Sequence, residues 1–156
     1  MGRTEHYDDP DAPEPNSLVP AATVFVQNEQ DEVLLIRRSD NGLWAMPGGV
    51  MEVGETLSQA AEREVLEETG YEVEVVDIIG IYSDPKHLIA YDDGEVRQQF
   101  AISFRGRLRG GEARTSDESP VVSWVDPETL PDDAMHPSTD LRVRHGLQKL
   151  PRPYLG

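Results

Sequence analysis

Three carboxylates crowd one short stretch of the chain. In the segment REVLEETG, Glu64, Glu67 and Glu68 recur at helical spacing with no lysine among them. Like charges at that spacing cost an isolated helix roughly 0.2–0.5 kcal/mol per pair. Wound as an α-helix, the three acids share a side with Leu57, Ala60 and Ala61, while Ser58, Glu62 and Thr69, with Gln59 and Arg63, make up the ordinary polar face. Carboxylates on the less polar side of a helix must be protonated, paired with basic groups or bound to a cation. Arg63 is the one basic residue close by in sequence, and it can neutralise one acid. Oxygen donors with no His or Cys beside them suit Mg²⁺ or Mn²⁺. Ion pairs with arginines from elsewhere in the chain are the competing explanation. Just upstream, Pro47-Gly48-Gly49 permits close backbone approach and a carbonyl aimed at a ligand, although such a tripeptide also makes an ordinary turn.

The helix that must present these acids spans 57–69. Thr56-Leu57-Ser58-Gln59 has the capping-box form, and Gly70 suits the position just past a helix end. Before it, AATVFVQN and EVLLIRR read as strands joined by a polar turn at 28–31, LWAM reads as a short strand, and Pro47-Gly48-Gly49 as a loop. After it, YEVEVVDIIGIYS reads as one strand or two, and SDPKHLIAYDDGE as a long turn-rich loop. VRQQFAISFRGRL alternates as a half-buried strand with Val96, Phe100, Ile102 and Phe104 on one side. VVSWV is a further strand and LRVRHGLQKL a closing helix. Residues 1–17, rich in Pro, Asp and Glu, read as a disordered tail, which leaves 18–156 as one domain. Strands before and after a central helix predict an α+β fold or a three-layer sandwich rather than a doubly wound sheet.

Composition narrows the partners. The chain carries 30 acids against 14 Lys plus Arg, a formal charge of −16, which repels nucleic-acid backbones and anionic membranes. A small anionic substrate is repelled too, unless a bound cation reverses the local field. The chain has no cysteine, so there is no disulfide framework and no thiolate metal site. With no apolar run long enough to span a bilayer and no signal-peptide pattern, the expected location is the cytoplasm.

Gly49, Glu55, Arg63, Glu64, Val65, Glu67, Glu68 and Gly70 spell G-x5-E-x7-R-E-U-x-E-E-x-G-U, where U is a bulky aliphatic residue. This resembles the Nudix box of the MutT-like pyrophosphohydrolases. Tyr71 stands in the last slot, where the family prefers an aliphatic residue. LLIRRSDNGLWAMPGG and SWV are similar to the flanking family pattern, so the resemblance spans roughly residues 19–150. It implies a Nudix fold, an α/β/α sandwich around a mixed β-sheet. It also implies hydrolysis of a nucleoside diphosphate linked to another moiety, with Mg²⁺ or Mn²⁺ held by Glu64, Glu67 and Glu68 and often by the Gly49 carbonyl. Gly48, Glu55, Arg63 and Gly70 would then support the loop and helix.

Outside the box, the resemblance implies an acid brought to the metal from a later loop. Glu118 is the candidate, with Asp117 and Glu112 as substitutes. Arg37, Arg97 and Gln99 are candidate substrate contacts. His87 is expected at the surface and Trp44 in the core. Pro85, 14 residues past Tyr71, is close to a proline position of the family's ADP-ribose pyrophosphatases, so ADP-ribose or a related nucleotide sugar is the expected substrate. The rivals are (d)NTP hydrolysis of the MutT kind and a non-catalytic ligand-sensing role. The expected partner is a small nucleotide-derived molecule, and a homodimer is consistent with the family.

Overall fold

Val24 and Phe25 face opposite sides of one strand, and that alternation sets the layers of the molecule. The computed structural model describes residues 2–156. Its strands are β1 (Arg3–Tyr7), β2 (Ser17–Val26), β3 (Val33–Arg37), β4 (Trp44–Ala45), β5 (Gly48–Val50), β6 (Tyr71–Tyr82), β7 (His87–Tyr91), β8 (Val96–Gly111), β9 (Val121–Val125) and β10 (Tyr154–Leu155). The helices are α1 (Leu57–Thr69) and α2 (Pro137–Gln148), with a 3-10 turn at Pro127–Thr129.

The larger sheet has seven strands, with the order β1-β7-β8-β2-β5, and β6 joins it along β8 and carries β10 on its outer side. It is mixed: β2 runs parallel to β8 and β10 parallel to β6, and the other pairs are antiparallel. The smaller sheet has the order β4-β3-β9. Ala22, Val24 and Val26 of β2 pack with Leu34, Val73 and Phe104 against Ala61 and Val65 of α1. Phe25, from the other face of β2, packs with Val33, Leu35, Ile79 and Val143 of α2. Strands covered on both faces lose the polar half of the alternation. This is why β3 reads VLLI, four buried residues in a row, and why Ala101 and Ser103 on the second face of β8 are buried as well. The result is the α+β sandwich around a mixed sheet that the box implied.

α1 begins and ends where its caps say. Thr56 Oγ1 accepts from the Gln59 N–H at 3.1 Å, Gln59 Oε1 accepts from the Thr56 N–H at 2.8 Å, and Gly70 closes the helix at φ 79°. Thr69 departs from the expected polar face. It is fully buried and donates its hydroxyl to the Val65 carbonyl at 2.6 Å.

Four other segments differ from expectation. Arg3–Tyr7, placed in a disordered tail, is strand β1, paired antiparallel with β7 from Arg3↔Tyr91 to Tyr7↔His87. The stretch read as one long loop contains β7, whose His87, Leu88 and Ile89 are buried. Gly48 and Gly49, expected in a loop, form β5 against Thr23 and Ala22. The closing helix starts earlier, at Pro137, with His136 as its cap. No described helix is long and apolar enough to cross a membrane.

Candidate active site

The buried arc of α1 runs through Ala60, Ala61, Val65 and Thr69, and Glu64 and Glu68 project within it. Glu64 is 18% exposed at its side chain, against 58% for Glu67 at the rim. Arg63 reaches across this cluster. Its Nε and Nη2 donate to the two Glu55 oxygens at 3.0 and 2.7 Å, its Nη1 to Glu64 at 3.0 Å and to Glu67 at 3.3 Å, and its Nη2 also to the Val50 carbonyl at 3.1 Å. Glu55 is held below the usual carboxylate range by that fork and by the Glu52 N–H. The loop entering α1 is thereby tied to its second turn.

One guanidinium cannot satisfy four acids. Burial raises the pKa of the Glu64 carboxyl in spite of Arg63. Glu68 is pushed up to about 8 by burial, by the adjacent Glu64 charge and by a hydrogen bond between the two carboxyls. The Gly48 N–H, which donates to Glu68 at 3.3 Å, offsets only part of this. At neutral pH two carboxyls in contact, short of positive charge, are a site that favours a cation or a shared proton. Gly49 lies against the Glu64 carboxyl, where a β-carbon would collide with it, so the β5 backbone borders the same space. The donors are all oxygens, as Mg²⁺ or Mn²⁺ requires.

A cleft of about 190 Å³ opens from β5 and runs between β2, β7 and the start of α2. Arg97 and Gln99, two of the candidate substrate contacts, line it, with Arg97 clamped by Glu95 at 2.8 Å. Arg37 does not. It is exposed and donates to the Gly42 carbonyl, and the next residue, Arg38, enters the cleft instead. Arg38 is paired in two bonds with Asp40 and lies within electrostatic reach of both Glu68 and Glu5. Trp44 both lines the cleft and packs on the second core cluster. Pro85 lies instead against residues 8–15, outside the cleft. Glu118 is exposed; its carbonyl accepts from the Ser39 N–H, and among the described residues no hydrogen bond or ion pair joins its side chain to α1. Asp117 and Glu112 are exposed too.

Sequence reasoning missed the far wall. His87 is buried rather than at the surface, and its Nε2 is 2.6 Å from Glu5 Oε1. His136 stacks on His87 at 5.1 Å, with its Nε2 3.5 Å from the same oxygen. Glu5, His87 and His136 bring three donor atoms together as a metal site would. However, His136 Nδ1 accepts the Ser138 N–H that caps α2, so the neutral ring carries its proton on Nε2, the atom facing Glu5. That leaves no lone pair there for a cation. The far wall is a hydrogen-bonded cluster, and the metal-type donor set lies on α1.

Residues 17–145 match the NUDIX domain family. The chain belongs to the Nudix family. This Nudix hydrolase is 41% identical over 116 residues to a MutT-like protein of Streptomyces ambofaciens, covering 74% of this chain and 68% of that one. It is 36% identical over 118 residues to an ADP-ribose pyrophosphatase of Methanocaldococcus jannaschii, covering 73% and 66%. Among solved structures, the MutT protein of Methanosarcina mazei Go1 superposes with a TM-score of 0.65 at 28% identity, covering 89% of this chain and 99% of that one. As a Nudix pyrophosphohydrolase it cleaves a pyrophosphate bond; the relatives carry different substrate names. The family match begins at residue 17, so β1, which supplies Arg3 and Glu5 to the cleft, lies outside it.

Proposed function

We propose that this Nudix hydrolase cleaves the diphosphate of a nucleoside diphosphate joined to a second moiety, the class of ADP-ribose and nucleotide sugars. The observation that carries this reading is the cleft: it leads from β5, whose Gly48 and Gly49 touch Glu68 and Glu64, past Arg38 to a wall made by β1, β7 and α2, giving the second moiety an enclosed place. Glu64, Glu67 and Glu68, with the Gly49 carbonyl, would hold Mg²⁺ or Mn²⁺. A cation held there would supply neutralisation of diphosphate charge and activation of water. The chain's own residues position the reactants. Arg63 and Glu55 fix the loop-helix joint, the Gly48 N–H orients Glu68, and Arg38, Arg97 and Gln99 face the substrate. Glu118 is the loop acid proposed to accept a proton from the attacking water.

A second reading, hydrolysis of (d)NTPs, is favoured by the 41% identity to the MutT-like protein. Product analysis separates the two readings. Purified protein is assayed with Mg²⁺ and with Mn²⁺ on ADP-ribose, nucleotide sugars and the dNTPs, with Glu68→Gln as control. Nucleotide-linked sugars should give the highest kcat/KM, yielding a nucleoside monophosphate and a sugar phosphate. The variant should lose at least about two orders of magnitude in turnover. A dNTP whose efficiency exceeds that of every nucleotide sugar tenfold or more would decide for the second reading.

A further inference from the structure

Among the described residues, Arg142 is a cation without a partner. It sits in α2, 6% exposed, and it lines both the main cleft and a smaller cavity of about 70 Å³ beside Tyr82. Its Nε is buried with no hydrogen-bond acceptor. Among the described residues its guanidinium forms no ion pair, and the groups that favour its charge, Tyr82, Glu5 and Tyr7, act through space rather than by hydrogen bonds. Glu5 is the acid that acts on it, but its oxygens are engaged by His87 at 2.6 Å and by Arg3 and His136, each at 3.5 Å. The Tyr82 ring, 5.0 Å from the guanidinium carbon, offsets part of the desolvation and satisfies no N–H.

The other arginines of the cleft differ. Arg3, Arg38 and Arg97 are each matched by a carboxylate within 4 Å. In a chain with 30 acids, an unmatched guanidinium is not the result of a shortage of carboxylates. A buried charge with neither counter-ion nor hydrogen bond is costly, and residues that carry such a cost in the free protein recover it when a ligand supplies the missing group.

We propose that Arg142 is the receptor for an oxyanion on the substrate's second moiety, a phosphate or a carboxylate held by the guanidinium fork. The site belongs to α2, which packs on the face of β2 opposite to α1. Arg38 is within reach of both Glu68 and Glu5, whereas Arg142 is reached by Glu5. The anion it takes is therefore distinct from the diphosphate beside the α1 carboxylates. This rests on the reading of the cleft as the place of the second moiety, and it narrows the substrate class to nucleoside diphosphates whose second moiety is itself acidic.

The test needs neither metal nor turnover, so its failure is separate from a failure of the hydrolase reading. In EDTA, the Arg142 Nε–H resonance, assigned by its loss in Arg142→Met, is followed by NMR during titration with inorganic phosphate, glucuronate and glucose. A saturable shift with phosphate or with glucuronate, and none with glucose, is expected; which of the two anions binds more tightly tells phosphate from carboxylate. Arg142→Lys, which keeps the charge without the fork, should bind at least about tenfold more weakly in a calorimetric titration. In parallel, Arg142→Met should melt at or above the wild-type temperature in anion-free buffer, because it removes an unmatched buried charge. A resonance indifferent to both anions, or an Arg142→Met variant that melts lower or fails to fold, would overturn the proposal by showing that Arg142 serves the fold.

Discussion

The Glu64 carboxyl occupies the space that a β-carbon on Gly49 would need. Gly48, one residue earlier, is confined differently: its absent β-carbon would meet the backbone of Ala22 and Thr23 across the sheet. Two adjacent glycines thus protect two different things, the seat of a carboxylate and the closure of a strand pair.

Gly49→Ala should therefore injure chemistry more than folding. The methyl group displaces the Glu64 carboxyl, and a misplacement of about 1 Å at a reacting centre costs on the order of a hundredfold in rate. A drop of that order in kcat is expected, with an unchanged circular dichroism spectrum. Gly48→Ala should instead lower the melting temperature. Equal loss of stability in both variants would contradict the assignment.

The metal-free protein should lose stability as pH rises. Glu68 is raised by burial and by Glu64 to about 8, well above the usual carboxylate range. A raised carboxyl contributes stability that is fully present below its unfolded-state value and is lost as pH climbs through the folded-state value. Melts in EDTA should fall between pH 5 and about 8, by the equivalent of a few kcal/mol. The Glu68→Gln variant should show a much flatter profile, and saturating Mg²⁺ should flatten the wild-type profile too. A wild-type melt in EDTA that rises over this range would remove the carboxyl pair from the account.

Glu5→Gln tests the far wall. Burial works against the Glu5 charge, but the His87 hydrogen bond and the nearby His136 and Arg3 outweigh it, so its pKa lies below the ordinary value. Its contribution is present above that ordinary value and lost as pH falls through the lowered one. Urea unfolding at pH 7 should show a cost of about 1–3 kcal/mol, shrinking at acid pH. A difference that stays constant with pH would mean the charge is not what holds the wall.

α1 was legible to the residue because its signals are local: a capping box, an apolar stripe and a glycine at the end. Its acids could be set against its small residues from spacing alone, although Thr69 could not be placed, since its buried hydroxyl bonds within its own helix. β7 was hidden by its neighbours. Turn residues flank HLIAY on both sides, and the turn that leads into β8, where the Tyr91 N–H meets the Glu95 carbonyl at 2.8 Å and Gly94 sits at φ 94°, reads as part of a loop. β1 was hidden because it is short and charged and its partner lies some eighty residues away. The arginines were ambiguous for another reason. Four consecutive buried residues in β3 erase the alternation that would have shown Arg38, rather than Arg37, turning into the cleft. Arg142 sits in a helix that also carries Arg144 and His145, and only burial marks it out.

The pairing of β1 with β7 also bears on the order in which the molecule comes together. α1 and its capped ends form from near neighbours, whereas the far wall closes only when the first residues of the chain reach a strand some eighty positions on, a step that carries the larger loop entropy. β1 is an outer strand, attached along one edge, and it is the segment best placed to detach without disturbing either core cluster. Its amides should then exchange with solvent faster than those of β2 or β8, and each such opening would leave the carboxylates of α1 in place while the cleft lost its end wall.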